Sequence, residues 1–221
     1  MKFNALKYYL ISIKTLLQKT NYWIIPFVFI KYPVLIKTNK GVNLWVSNLM
    51  DIWTLKEVIL DQQYEQIRKL KEKDIVIDIG ASIGDFSILA SKNAEKVYSF
   101  EINDERIFLL KKNIVQNNCS NIDINKKFVI SLEPIFKEKH IKKVNFLKID
   151  CEGGEYKIIN NTSNNNLRKV DHFAFEIHLF DDIMRKKYLL LKRKLTKNGF
   201  KLIEKNNSVH SYLKFLFATK I

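Results

Sequence analysis

Hydrophobic and polar positions change rhythm twice along this chain. Over residues 5–18, Leu6, Tyr9, Leu10, Ile13 and Leu17 recur at helical spacing, and Lys7, Lys14 and Gln18 share the other side. That pattern predicts an amphipathic helix, expected to dock on the rest of the domain, with an anionic membrane surface as the alternative resting place. In residues 33–47 the rhythm shortens. VLIKT and VNLWV flank Asn39-Lys40-Gly41, which predicts a hairpin, and a helix is expected from Asp51 to Lys71.

From Asp74 the apolar runs become nearly continuous. DIVIDIG reads as a strand covered on both faces, KVYSFE, NIDIN, VNFLKID and VDHFAFEIH read as further strands, and helical stretches alternate with the strands, including residues 182–197. Alternating strands and helices predict an α/β fold with a doubly wound parallel sheet. GFKLIE and SYLKFLFATKI stand almost adjacent, so they pair only as an antiparallel hairpin, and one strand of the sheet is reversed. NNTSNNN, at 160–166, reads as a solvated loop. The expected division is an N-terminal cap over residues 1–72 and a main domain over 73–221.

Composition narrows the function classes. With 221 residues and 47% hydrophobic content the chain can bury a core, which excludes a disordered protein. The net charge of +15 permits nucleic acid or membrane headgroups as partners, but the lysines are scattered rather than blocked, so nucleic acid is not the first expectation. Cys119 and Cys151 stand in no paired spacing, which argues against a disulfide framework and a zinc site. The apolar run YWIIPFVFI is broken by Pro26 and too short to span a bilayer, and the chain start lacks a cleavage-site pattern. A cytoplasmic protein is expected, with peripheral membrane contact through the first helix as an option.

The stretch DIVIDIGASIGDFSILAS carries the first chemistry. GASIG, residues 80–84, matches the nucleophile elbow G-x-S-x-G, but it follows the first strand of the alternating region and has no oxyanion loop before it, which argues against a hydrolase. Gly80 and Gly84 suit a tight turn at a helix start, with Ala81 and Ser82 lining it through backbone groups. Asp78 would repel a pyrophosphate and suits a cation instead. Glu101 ends the second strand, where a carboxylate can accept from both ribose hydroxyls, with Ile102 next to it. Together these positions point to a nucleoside ligand with a cationic tail, which describes S-adenosylmethionine.

These residues resemble a known family. VIDIGASIGDFS, YSFEIN, VNFLKIDCEGGEYKII and FAFEIH are similar to the FkbM family of S-adenosylmethionine-dependent methyltransferases over residues 50–220. The resemblance implies a class I methyltransferase fold, a seven-stranded sheet of order 3-2-1-4-5-7-6 with strand 7 antiparallel. It also implies O-methylation of a sugar, glycolipid or other small-molecule hydroxyl, and a covering role for Tyr64. Ser82 replaces the family's more frequent Asn, and Ile102 stands where Pro is common.

The reacting groups are expected at the ends of the fourth and fifth strands. Asp150 and Glu152 end the fourth, with Gly153 and Gly154 permitting close approach, although Glu152 and Glu155 also suit a helix N-terminus. Glu176 and His178 end the fifth on one face, and His178 is the favoured general base for an alcohol. Asp150, Glu152, Glu176 and His178 could converge on a divalent cation, but no ligand spacing supports it and no metal is expected. The leading alternatives to a small-molecule or glycan O-methyltransferase are an RNA methyltransferase using the basic surface and an inactive cofactor-binding module.

Overall fold

The computed structural model describes residues 2–30, 33–207 and 209–221. A helix, α1 (Lys2–Lys19), is followed by a tighter helical segment over Tyr22–Phe29 that contains Pro26. The hairpin forms as β1 (Val34–Lys37) and β2 (Asn43–Val46), antiparallel, with Val34 opposite Val46. α2 (Leu49–Leu55) follows, capped by the Asn48 side chain, which accepts from the Asp51 N–H.

The main sheet contains β3 (Asp74–Ile79), β4 (Ala94–Glu101), β5 (Ile122–Lys126), β6 (Phe146–Ile149), β7 (His172–His178), β8 (Phe200–Asn206) and β9 (Leu213–Lys220). Their order across the sheet is β5-β4-β3-β6-β7-β9-β8, and β9 runs antiparallel to both neighbours. Numbered within the sheet, this is the order 3-2-1-4-5-7-6 with a reversed last strand. Intervening helices are α3 (Asp85–Ser91), α4 (Asp104–Gln116), α5 (Glu133–Glu138), α6 (Glu155–Asn161), α7 (Asn164–Leu167) and α8 (Asp182–Lys197).

Strand register places three polar residues side by side in an otherwise apolar sheet. Asp78 lies opposite Ser99 of β4 on one side and Lys148 of β6 on the other. The hairpin and α2 share a core with the sheet, since Ile36, Leu44, Ile52 and Leu55 pack in one cluster with Val76, Phe86 and Val97.

Three local expectations need correction. The helix expected to Lys71 ends its regular turns at Leu55, widens over Lys56–Leu60 and stops. Lys56 is buried there and reaches Asp61 at 2.7 Å, and Gln62 turns left-handed at φ 52°. The NNTSNNN loop contains α7, with Ser163 accepting from the Asn166 N–H, and Thr162 is buried, bonded to the Ile158 carbonyl and the Leu132 N–H. Finally, α1 does dock, but not by its apolar stripe. Its packed side holds Tyr8, Ser12 and Leu16, and Leu6, Leu10, Ile13 and Leu17 face outward. Among the described residues no helix is long and apolar enough to cross a membrane.

Candidate active site

The carboxyl ends of β3, β4, β6 and β7 open into one cleft of about 1070 Å³. The N-terminal region supplies a wall through Tyr9, Met50, Trp53 and Glu57, and the β8–β9 loop supplies His210 and Tyr212. This is where ligands of open α/β sheets sit, because strand ends leave backbone and side-chain groups pointing into a shared crevice.

The turn after β3 is held from below. Gly80 and Ala81 both donate to the Phe100 carbonyl at 3.0 Å, and Gly84 donates to the Ala81 carbonyl at 2.8 Å. Gly80 sits at φ +78°, and a Cβ built on it would lie 1.7 Å from the Asp150 carbonyl oxygen. Gly84 sits at φ +89°, where a Cβ would meet Leu110 Cδ1 at 2.3 Å. The two glycines therefore admit neighbouring protein, β6 and α4, rather than ligand. Ser82 is left-handed at φ 47° and spends its N–H on Glu101 Oε2, at 2.8 Å. It is a turn residue.

Glu101 also accepts from the N–H groups of Ile102 (2.7 Å) and Asn103 (2.9 Å). Three backbone donors fix this half-buried carboxylate at the cleft wall. Two oxygens offer about four acceptor sites, so capacity is left for hydroxyl groups. Ile102, Phe128 and Val129 lie on the same wall and give it an apolar surface on which a base can stack.

Asp78 does not reach the cleft. It is fully buried, accepts from Ser87 Oγ at 2.6 Å and faces Lys148 Nζ at 3.1 Å. Asp78, Ala81 and Gly84 thus stand behind the cleft, whereas Gly80, Ser82, Glu101, Ile102, Asp150, Glu176 and His178 line it. The residue that sequence reasoning passed over is Lys148. Its ammonium donates to the Gly80 carbonyl at 2.7 Å and lies 3.8 Å from Asp150 Oδ2. Burial works against that charge, but the carboxylates of Asp78, Asp150 and Asp85 outweigh it and raise the lysine above its ordinary range. A lysine inside the apolar run VNFLKID was the available signal, because a buried charge requires partners.

Beyond Lys148 the cleft is acidic. Asp85, at the start of α3, is pushed up to about 7, first by burial and then, against the pull of Lys148, by Asp78 and Asp150. Glu176 is held well above the usual carboxylate range by burial and by the facing Asp150. Tyr64 lines the cleft as a buried side chain, and its hydroxyl donates to Asp150 Oδ2 at 2.9 Å.

His178 completes the floor. One donor atom each from Asp150, Glu176 and His178 lie within 4.8 Å of one another. His178 Nδ1 is 3.5 Å from Glu155 Oε1, and its backbone N–H donates to the same oxygen at 3.2 Å. Glu155 is fully buried at the start of α6 and also accepts from the Gly153 N–H at 2.9 Å. Burial depresses His178, but the adjacent Glu155 carboxylate prevails, and its pKa is raised. Glu155 thus orients the imidazole as well as opening α6. Glu152, by contrast, is 82% exposed and lines the cleft with its Oε2 3.9 Å from His178 Nε2.

The donor set fits S-adenosylmethionine. Glu101 can take ribose hydroxyls, the apolar wall a base, and the acid-rich floor a sulfonium and an ammonium. Residues 126–202 match the model of the Methyltransferase FkbM domain, and residues 36–127 match that of the TRM5/TYW2 methyltransferase domain. The chain is 38% identical over 99 residues to the tRNA (guanine(37)-N(1))-methyltransferase Trm5b of Methanocaldococcus jannaschii, a match that covers 40% of this chain and only 29% of that protein. Among solved structures, SMU.1697c of Streptococcus mutans in complex with SAH superposes with a TM-score of 0.58, at 14% identity, over 74% of this chain and 97% of the other. M. jannaschii TYW2 in complex with AdoMet superposes with a TM-score of 0.54, at 16% identity, over 86% and 85%. At such identities the likeness concerns the fold. Motifs, sheet order and reversed strand agree: the fold is that of the class I S-adenosylmethionine-dependent methyltransferases, and residues 126–202 match the FkbM methyltransferase domain.

Proposed function

We propose that this protein methylates a nucleotide of an RNA, a tRNA being the first candidate. One observation carries the reading: the similarity to the tRNA methyltransferase Trm5b together with the TRM5/TYW2 domain match. The cleft supports it with a line of rings leading from the floor to solvent. His178 and Phe180 have centroids 5.3 Å apart, Phe180 and Tyr212 5.5 Å, and Tyr212 and His210 5.1 Å. An unpaired base stacks on such a platform. The excess of lysine supplies the counter-charge for phosphate outside the cleft.

A second reading has its own observation. The FkbM match, residues 126–202, contains Asp150, Glu176 and His178, the groups that would face the acceptor. That favours a hydroxyl of a sugar or other small molecule.

S-adenosylmethionine, when bound, supplies a methyl group on a sulfonium. The chain's own groups do the rest. Asp85, Asp150 and Glu176 face the cationic end, whose approach draws off the protons that burial holds on Asp85 and Glu176, and Glu101 fixes the ribose. His178, beside Glu155, would take the acceptor's proton as the methyl passes from sulfur to the aligned acceptor atom. The arrangement serves either acceptor, since a hydroxyl and a ring N–H both carry a proton to lose.

Transfer of labelled methyl from S-adenosylmethionine to total tRNA, beside a panel of glycans and glycolipids, separates the readings. Salt-sensitive labelling of tRNA is expected. Labelling confined to the glycan panel would replace the RNA reading by the second, and failure to bind either S-adenosylmethionine or S-adenosylhomocysteine in calorimetry would overturn both.

A further inference from the structure

We infer that α1 and the segment Tyr22–Phe29 form a docking face for an anionic membrane surface. The inference concerns the N-terminal face rather than the cleft and holds for either acceptor class.

The helix is mounted with its polarity reversed. A helix that serves a protein core turns its apolar stripe inward. Here the inward side carries Tyr8, whose hydroxyl donates to Glu57 and whose ring lies 4.3 Å under the Lys56 ammonium, and the fully buried Ser12, bonded to the Tyr8 carbonyl. The outward stripe carries Leu6 (58% exposed), Leu10 (60%), Ile13 (51%) and Leu17 (48%). Just past the helix, Trp23 and Phe29 are 66% and 73% exposed. An exposed apolar patch of this extent marks an interaction surface.

Charge identifies the occupant. Residues 1–50 contain seven lysines and no Asp, Glu or Arg. Lys7 and Lys14 flank the stripe and are exposed. The first acid in the chain, Asp51, is buried against Arg106 at 2.6 Å. A second copy of the chain would bring the same uncompensated cations to the contact and no carboxylate to meet them. An anionic lipid surface supplies the missing charge, takes Leu and Ile side chains to acyl depth, and suits Trp and Tyr at the headgroup level. α1 is amphipathic and not spanning, so it would lie in the plane. Tyr9 of the same helix lines the cleft, so the docked face adjoins the cleft mouth.

The test is co-sedimentation of the full chain with vesicles of phosphatidylcholine alone and with 30% phosphatidylglycerol, the latter proportion about what gives a strongly anionic surface. Binding to the anionic vesicles is expected, falling more than about tenfold for Leu10→Glu, an exposed position whose change leaves the fold intact. Calorimetry with S-adenosylmethionine should be unchanged in that variant, which separates failure of this inference from failure of the enzymatic reading. Absence of binding to anionic vesicles overturns the inference. So does a concentration-dependent dimer that Leu10→Glu abolishes while vesicles have no effect, or tRNA binding that depends on Lys7 and Lys14 without any vesicle binding.

Discussion

The α-carbon of Gly80 faces the backbone of Asp150 so closely that a single added Cβ would lie 1.7 Å from the Asp150 carbonyl oxygen. The turn proposed to frame the cofactor and the strand proposed to face the acceptor are thereby set at a fixed spacing by one hydrogen atom. Gly80→Ala must push β6 away and also strain a backbone at φ +78°. It should destabilise the protein by about 3 kcal/mol or more and weaken S-adenosylmethionine binding at least tenfold. Thermal melts and calorimetry on the purified variant check this; a variant with wild-type stability and affinity would refute it.

Among the described residues Lys148 is the sole cation against Asp78, and both are buried. Lys148→Met leaves Asp78 uncompensated and should cost roughly 3–5 kcal/mol, as removal of one partner of a buried pair does. Lys148→Met combined with Asp78→Asn removes the stranded charge and should recover part of that loss. Chemical denaturation of the three variants measures the coupling, and strictly additive losses would show that the pair does not act as one.

Acid groups with raised pKa values give a signed pH dependence. Asp85 and Glu176 both hold protons more tightly folded than unfolded. Their contribution to stability is complete below the ordinary carboxyl pKa, near 4.3, and is lost as pH rises through about 7 for Asp85 and higher for Glu176. The ligand-free protein should therefore lose stability between about pH 5 and 9, and Glu176→Gln should flatten that slope by on the order of 1–2 kcal/mol. Melting temperatures measured across pH in both proteins decide the matter, and parallel curves would count against it.

His178 and Glu155 predict a shift in a pH–rate profile. His178→Ala should lower turnover by about 10²–10⁴-fold with nearly unchanged cofactor affinity, the usual worth of a general base. Glu155→Gln removes the charge that raises His178, so the imidazole should lose its proton at lower pH. The acid limb of the rate profile should move to lower pH in that variant, with the rate in the plateau reduced. An unmoved limb would assign the titration to another group.

Much of this architecture was readable in the chain itself. The predicted helix over 182–197 forms over Asp182–Lys197, and the adjacency of the last two strand patterns gave the reversed β9. Convergence of Glu176 and His178 followed from strand periodicity, and Asp150 joined them because β6 and β7 are neighbours. What was not readable depends on cross-strand partners. Asp78 looked free to meet a ligand because its position along β3 says nothing of Lys148, which register alone places opposite it. The same limit hid the inverted mounting of α1. Periodicity shows that a helix has an apolar stripe, and only the packed structure shows which way the stripe points.

The crowd of carboxyl groups around Lys148 also bears on how a reaction cycle ends. Asp85, Asp150 and Glu176 line the cleft floor, and Lys148, which they share with Asp78, is the lysine among them. Such a floor grips a positively charged sulfonium, yet methyl donation leaves a neutral thioether in its place. In the proposed reaction each turnover would subtract a positive charge from a site rich in acids, and the electrostatic hold would slacken at the step when the spent molecule must depart.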